Sequence, residues 1–294
     1  MTAPLASGLT PHGALRAGRY TLPLSRPLIM GVVNITPDSF SDGGRFLESR
    51  AAIEHARRLA GEGADILDLG GESSRPGAEP VALELERRRV LPVLENVVGL
   101  GVPVSVDTAK PELMREAVSA GASMVNDIFG LRAPGALQAL AAGDAAVCIM
   151  HMQGEPRTMQ THPAYRDVVL EIREFLLERA QAAQAAGIAP QRIVIDPGFG
   201  FGKTTEHNLA LIRGLGTLAA EGYPVLAGLS RKSLFGKIVG RAVAERMPAS
   251  VAGAMLAVQH GAAIVRVHDV GATRDALLVM RAVESGSIET GEQL

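Results

Sequence analysis

LIMGVVNITPDSFSDGGRFLESRAAIEHARRLAGEGADILDLG occupies residues 28–70, and its texture decides the fold. It opens on an apolar run, LIMGVV (28–33), short enough for one buried strand, and closes on a second, ADILDLG (64–70). Between them SRAAIEHARRLAGEG (49–63) repeats apolar positions at helical spacing and ends in Gly63, where a C-cap glycine belongs. Strand, helix, strand is the unit of a parallel sheet. The remaining piece, NITPDSFSDGG (34–44), is too polar for a core and has no helical period. It is either a long turn or a place where something charged sits.

The same alternation runs on through the chain. Further apolar runs are VPVSVD (102–107), SMVND (123–127), AAVCIM (145–150), RIVID (192–196), PVLAGLS (224–230) and AAIVRVH (262–268), which makes eight. Helical patterns include 81–98, 111–121, 168–187 and 274–283. Gly101, Gly121, Gly187, Gly222 and Gly261 repeat the position of Gly63, and Pro111 suits a first helical turn. Eight such units in about 260 residues predict an α/β fold, a (β/α)8 TIM barrel, with a doubly wound sheet as the alternative. Residues 15–27 suit a short N-terminal hairpin, because Tyr20, Leu22 and Leu24 alternate with polar or small residues. The expected organisation is a flexible tail (1–14), one barrel domain (15–285) that includes the hairpin, and a C-terminal tail (286–294).

Composition narrows the class. Of 294 residues, 47% are hydrophobic and 20% charged, as in globular proteins. A net charge of −2 forces no basic face, so nucleic acid is not an expected partner. No apolar run approaches the ~20 residues of a membrane helix, and the N-terminus lacks a signal-peptide pattern. The single cysteine, Cys148, excludes an intramolecular disulfide and sits in an apolar run, so it reads as a buried thiol. A cytoplasmic enzyme or binding protein is the expectation.

The residues that close the apolar runs are polar in register. They are Asn34, Asp68, Asp107, Asn126 with Asp127, His151, Asp196, Ser230-Arg231-Lys232, and Arg266 with His268. In a barrel they converge on the C-terminal mouth, where active sites are built. Single polar residues at strand ends are usually caps, but eight in register, with four aspartates among them, are not. Asp107, Asn126, Asp196 and Lys232 mix donors and acceptors and suit a flat heterocycle. Asn34, Ser74, Arg75, Arg266 and His268 offer donors and cations for phosphate oxygens, with Asn34 able to give an oxygen to a hard cation such as Mg2+. Together they describe a polar ring bearing a diphosphate.

Other motifs lead nowhere. DPGFGFGKTT (196–205) has Pro197 where a phosphate-binding loop needs its first glycine, and its glycines fail the dinucleotide spacing. It reads as a tight turn that lets a ligand approach. The sequon at Asn34 has no secretory context. His151 lacks a second metal ligand and reads as structural, and ELERRR (84–89) reads as a solvated helix face.

Taken together, GVVNITPDSFSDGG, GADILDLGGESSRPGA, VSVDTAKPELMREAVSAGASMVNDI, MHMQGEPRTMQ, IDPGFGFGK, LSRKSLFG and RVHDV resemble, in order, the dihydropteroate synthase family, over roughly 28–285. The resemblance implies a transferase of folate biosynthesis, the target of sulfonamides. It implies a homodimeric barrel that joins p-aminobenzoate to a dihydropterin methyl diphosphate and uses Mg2+. Pterin would lie against Asp107, Asn126, Asp196 and Lys232, with Met150 and Gly228 beside it. Diphosphate would meet Asn34, Ser74, Arg75, Arg266, Val267 and His268, with Asn34 acting through Mg2+. The p-aminobenzoate would lie among Phe40, Pro76, Phe201, Lys232 and Ser233. Asp107, Lys232, Arg266 and His268 would carry the catalysis. One departure is Ser74, where many members have threonine; the hydroxyl survives and a methyl is lost.

On this reading NITPDSFSDGG is a lid with glycine hinges, poorly ordered when open, and substituting Asp38 or Asp42 should slow turnover more than it weakens pterin binding. Two other readings are weighed. A methyltetrahydrofolate:corrinoid methyltransferase would share the ring-binding aspartate and asparagine but has no need of SRKS, Arg266 or His268. A non-catalytic pterin-binding paralogue would not need the intact polar set.

Overall fold

The computed structural model describes residues 13–36 and 44–287. Most of both expected tails, and Asp38, Phe40 and Asp42 of the expected lid, lie outside the described residues. The chain opens with β1 (Ala14–Ala17) and β2 (Tyr20–Pro23), an antiparallel hairpin. Then strands and helices alternate: β3 (Leu28–Asn34), α1 (Gly44–Gly61), β4 (Ile66–Gly70), α2 (Leu83–Val97), β5 (Val104–Asp107), α3 (Pro111–Ser119), β6 (Met124–Asp127), α4 (Ala136–Ala141), β7 (Ala146–Met150) and α5 (Val168–Ala185). The second half holds β8 (Ile193–Asp196), α6 (Thr205–Arg213), α7 (Leu215–Ala219), β9 (Leu226–Ala227), α8 (Ser233–Val239), α9 (Met247–Gln259), β10 (Ile264–Val267) and α10 (Val270–Ser285).

The eight strands β3–β10 form one parallel sheet in the order β8-β7-β6-β5-β4-β3-β10-β9. A parallel bridge between Ile195 and Val225 joins the two ends of that order, so the sheet closes into the expected barrel. The seam is narrow because β9 keeps only two of the seven residues in its apolar run before the chain turns at Gly228. The glycines expected at helix ends do that work: Gly63, Gly101, Gly121, Gly187, Gly222 and Gly261 all have φ between 83° and 107°.

Two apolar layers hold the barrel. Outward-facing strand residues such as Val33, Leu67, Leu69 and Val106 pack against α1, α2 and α10, and Val147, Ile149 and Ile195 pack against α5 to α7. Inside the barrel Leu28, Met30, Ile66, Met124, Ala146, Cys148, Val194, Leu226 and Ile264 form a plug, sealed from below by Leu15, Ala17 and Leu24 of the hairpin region. Of the alternation read in the hairpin, Leu24 is buried, whereas Tyr20 and Leu22 are only half-buried. Cys148 is a fully buried thiol of this plug, and burial pushes its pKa well up. Among the described residues no helix is long and apolar enough to cross a membrane.

Candidate active site

Side chains alternate along a strand, so the residue two places beyond each plug residue also faces the barrel axis. From Ile66 that step gives Asp68, from Met124 Asn126, from Cys148 Met150, from Val194 Asp196, from Leu226 Gly228, and from Ile264 Arg266. Strand pairing places Asp107 beside Asn126, and both Asn34 and Asp107 beside Gly70. An apolar floor is thus overlaid by one polar layer. Val267 has the opposite parity: its side chain packs outward in the helix layer, so only its main chain can serve the mouth.

Charge in that layer is unbalanced. Arg266 donates to Asp68 at 2.6 Å and to Asp107 at 3.1 Å, so one guanidinium serves two carboxylates. Arg266 therefore bridges the two sets of residues that the sequence suggested were separate. Burial, then the nearby charge of Asp68, pushes the Asp107 carboxyl up to about 8, against the pull of Arg266. Asp68 Oδ1 and Asn126 Oδ1 are buried without a hydrogen-bond donor. Such orphaned acceptors are costly, and a ligand presenting N–H groups would satisfy them. Asp196 accepts from the Gly198 amide at 2.7 Å; burial raises its pKa, offset by that amide and by the charges of Lys232, Lys203 and Arg266.

Lys232 sits at the N-cap of α8. Its ammonium donates to the Phe199 carbonyl and lies 4.5 Å from the centroid of the Phe201 ring. Burial lowers it to about 8, with Asp196 opposing. Before it, Arg231 is a non-glycine residue in the left-handed region, at φ 58°. Its amide donates to Ser250 Oγ at 2.9 Å, and its guanidinium grips Asp269 at 3.1 and 2.6 Å. Those contacts hold a backbone that costs about 1–2 kcal/mol.

His268 follows β10, and both its amide and Nδ1 meet Ser230 Oγ, at 3.2 and 3.0 Å. Burial and then the Arg266 and Arg231 charges lower it to about 4, so in the unliganded site it is a neutral donor, not the cation the sequence suggested. Arg75 is near enough to add to that effect. Ser74 is half-buried, and Arg75 and Pro76 are exposed on the loop that follows β4. Ser233 is exposed on the first turn of α8. Met150, Met152 and Met159 cluster with Phe129 and Phe201 into an apolar wall. At Gly228 an added Cβ would meet only Arg266 Cβ, at 3.9 Å, so this residue keeps space open.

Two strand-end residues leave the mouth. Asp127 accepts the amides of Phe129 and Leu131 at 2.8 and 2.7 Å and is a turn cap; burial pushes it up to about 6. His151 is structural, as expected. It packs edge-on against Phe175, at 4.9 Å between ring centroids, and lies 3.1 Å from buried Lys203. Lys203, which the sequence reading passed over, also donates to the Phe201 carbonyl at 2.9 Å, and Tyr165 donates to the Gly202 carbonyl at 2.9 Å. DPGFGFGKTT is thus a turn stapled to the loop after β7. Gly198 and Gly202 have φ of 67° and 62°, and a Cβ on either would strike backbone, of His151 or Gln153.

Asp68, Ser230 and Asp269 contact Arg266, His268 and Arg231, and sequence reasoning left all three without a role. Asp68 had a signal, inward parity on β4; its pairing with Arg266, 198 residues away, had none.

Comparison with known proteins agrees with this geometry. The family described as "Pterin binding enzyme" matches residues 30–268. A dihydropteroate synthase of Neisseria meningitidis serogroup B is 52% identical over 275 residues, which cover 91% of this chain and 96% of that one. The structure of Xanthomonas albilineans dihydropteroate synthase with 4-aminobenzoic acid superposes with a TM-score of 0.88 at 52% identity, covering 93% and 98% of the two chains. That of the Burkholderia cenocepacia enzyme complexed with 7,8-dihydropteroate does so with a TM-score of 0.86 at 49% identity, covering 93% and 97%. With family motifs, barrel and acceptor-lined mouth in agreement, the chain belongs to the dihydropteroate synthase family of pterin-binding transferases.

Proposed function

We propose that this chain condenses 6-hydroxymethyl-7,8-dihydropterin diphosphate with p-aminobenzoate, giving 7,8-dihydropteroate and diphosphate. The observation that carries the reading is the orphaned buried amide oxygen of Asn126, which lies beside Asp107 in the polar layer on the barrel axis. A pterin offers ring N–H and amino donors, and Asp107, Asn126 and Asp196 are the acceptors that would receive them, with Lys232, Met150 and Gly228 beside the ring. Ser74, Arg75, Arg266, the main chain at Val267, and His268 would face the diphosphate. Pro76, Phe201, Lys232 and Ser233 would flank the amine substrate.

An arylamine is a weak nucleophile, so the barrier lies in loss of the leaving group. The methylene C–O bond breaks and its electron pair departs with the diphosphate, whose growing charge Arg266 and His268 face. The cation left on the methylene is delocalised into the pterin ring. Asp107, once ionised, supports it electrostatically; the alternative role is to orient the ring alone. The amine nitrogen then bonds to the methylene and loses a proton, which is acidic once nitrogen is bonded. No strong general base is required.

Mg2+ fits this site as a substrate-held ion. Asn34 carries no side-chain hydrogen bond among the described residues, so its amide oxygen is free to coordinate. Among the described residues there is no group of three His, Cys, Asp or Glu to cage a metal. One protein oxygen plus phosphates is a common Mg2+ arrangement. When bound, the ion would neutralise diphosphate charge.

We also propose one domain over 15–285, a cytoplasmic location, small-molecule partners only, and a homodimer. Exposed Ile238 and Val239 at the end of α8, Val243 after it, and Met247 at the start of α9 support the dimer. The test of function is diphosphate release from the pterin substrate and Mg2+, with and without p-aminobenzoate. Release that yields dihydropteroate and is abolished by Lys232→Ala supports the reading; tight pterin binding without product overturns it.

A further inference from the structure

The run ELERRR, expected to be a solvated helix face, turns part of itself inward. Glu86 is fully buried. The Lys110 ammonium touches the carboxylates of both Glu86 and Glu72. Arg89 donates to the Gly71 carbonyl at 2.8 Å. Gly71 itself leaves no slack: a Cβ there would stand 2.6 Å from Val90 Cγ2 and 3.1 Å from Glu86 Cγ. Gly71 and Glu72 are the root of the loop that presents Ser74, Arg75 and Pro76, and Lys110 lies three residues beyond Asp107. Arg89 of α2 thus holds the Gly71 main chain, while Lys110 at the N-cap of α3, paired with Glu86 of α2, holds the Glu72 side chain.

This cluster is a poor device for stability alone. A buried charge group is often less stabilising than apolar side chains of similar volume, and burial raises the Glu86 carboxyl despite Lys110. Apart from Thr108, just beyond Asp107, its contacts lead to the root of the loop after β4. We infer that Lys110, Glu86 and Arg89 are positioning residues that fix the loop after β4 so that Ser74 and Arg75 face the diphosphate. The inference rests on the reading of that loop as part of the diphosphate subsite.

The test is Lys110→Met, which keeps the length and removes the charge. Its KM for the pterin diphosphate rises about 10-fold, a loss set by misplacement of the loop. Its affinity for 6-hydroxymethylpterin, which lacks the diphosphate, changes less than about 2-fold, and Lys110→Arg recovers part of the loss. Glu72→Gln, at a half-buried site, gives the same split at smaller size and serves if Lys110→Met folds poorly. Amide hydrogen exchange over residues 71–78 reports the clamp independently of the subsite reading, and Lys110→Met speeds it. Equal loss for both ligands, or unchanged exchange, overturns the positioning role. Faster exchange with unchanged diphosphate affinity, in Lys110→Met and in Ser74→Ala alike, overturns the subsite reading and the functional role of the clamp with it.

Discussion

Asp68 and Arg266, 198 residues apart in sequence, meet at 2.6 Å inside the barrel, and the same guanidinium reaches Asp107 at 3.1 Å. Asp68 thereby sets the electrostatics of Asp107 without a route to substrate through its own Arg266-bound oxygen. Asp68→Asn keeps the shape and removes one negative charge beside Asp107. The ionised form of Asp107 becomes easier to reach, so its pKa falls. The acid limb of the kcat/KM profile should move to lower pH, with a loss of about 10-fold at the optimum from weaker seating of Arg266. An acid limb that stays in place would show that Asp107 does not feel Asp68.

Asp107 also links activity to stability. Its folded-state pKa is raised from 3.8 to about 8, by burial first and Asp68 second. The ionised carboxylate therefore works against the fold. That cost is absent below about pH 4, grows as pH rises, and is complete above about pH 8. Asp107→Asn should abolish turnover yet raise Tm at pH 8 by a few degrees, about 1 kcal/mol or more, with the gain vanishing toward pH 4. A pH-independent change in Tm contradicts the assignment.

Much of this site was legible because period-2 parity carries it. Once Ile66, Met124, Cys148 and Val194 are read as interior, Asp68, Asn126, Met150 and Asp196 follow at the next inward step. Glu86 was legible too: it shares a helical face with Val90, Val93 and Val97, at steps of four, seven and eleven residues. Its charge argued for solvent, but spacing argued for burial and spacing won, because Lys110 comes from another element to meet it. What no local pattern carried was pairing between distant strands, as in Asp68 with Arg266, and main-chain turns such as that at Arg231.

The turn at Arg231 gives an ordering of variants. Its left-handed backbone at φ 58° is held by Ser250 and Asp269. Arg231→Ala loses the grip on Asp269 and keeps the strain; Arg231→Gly loses the grip and relieves it. Glycine should be the more stable of the two by about 1 kcal/mol in denaturant unfolding. The reverse order would mean that the backbone there is not under strain.

Phe201 should distinguish the two proposed substrates. It packs in the methionine wall, stands 4.5 Å from the Lys232 ammonium, and has its carbonyl held by Lys203. In the proposed arrangement it faces the amine and not the pterin. Phe201→Leu keeps apolar volume in the wall but removes the aromatic face over Lys232. The KM for p-aminobenzoate should rise about 5- to 10-fold, the size of a lost aromatic contact of about 1 kcal/mol, while the affinity for the pterin diphosphate stays within about 2-fold. Steady-state kinetics with each substrate varied in turn reads both values. A matching rise for the pterin substrate would place Phe201 in the pterin subsite and leave the amine subsite to Pro76 and Ser233.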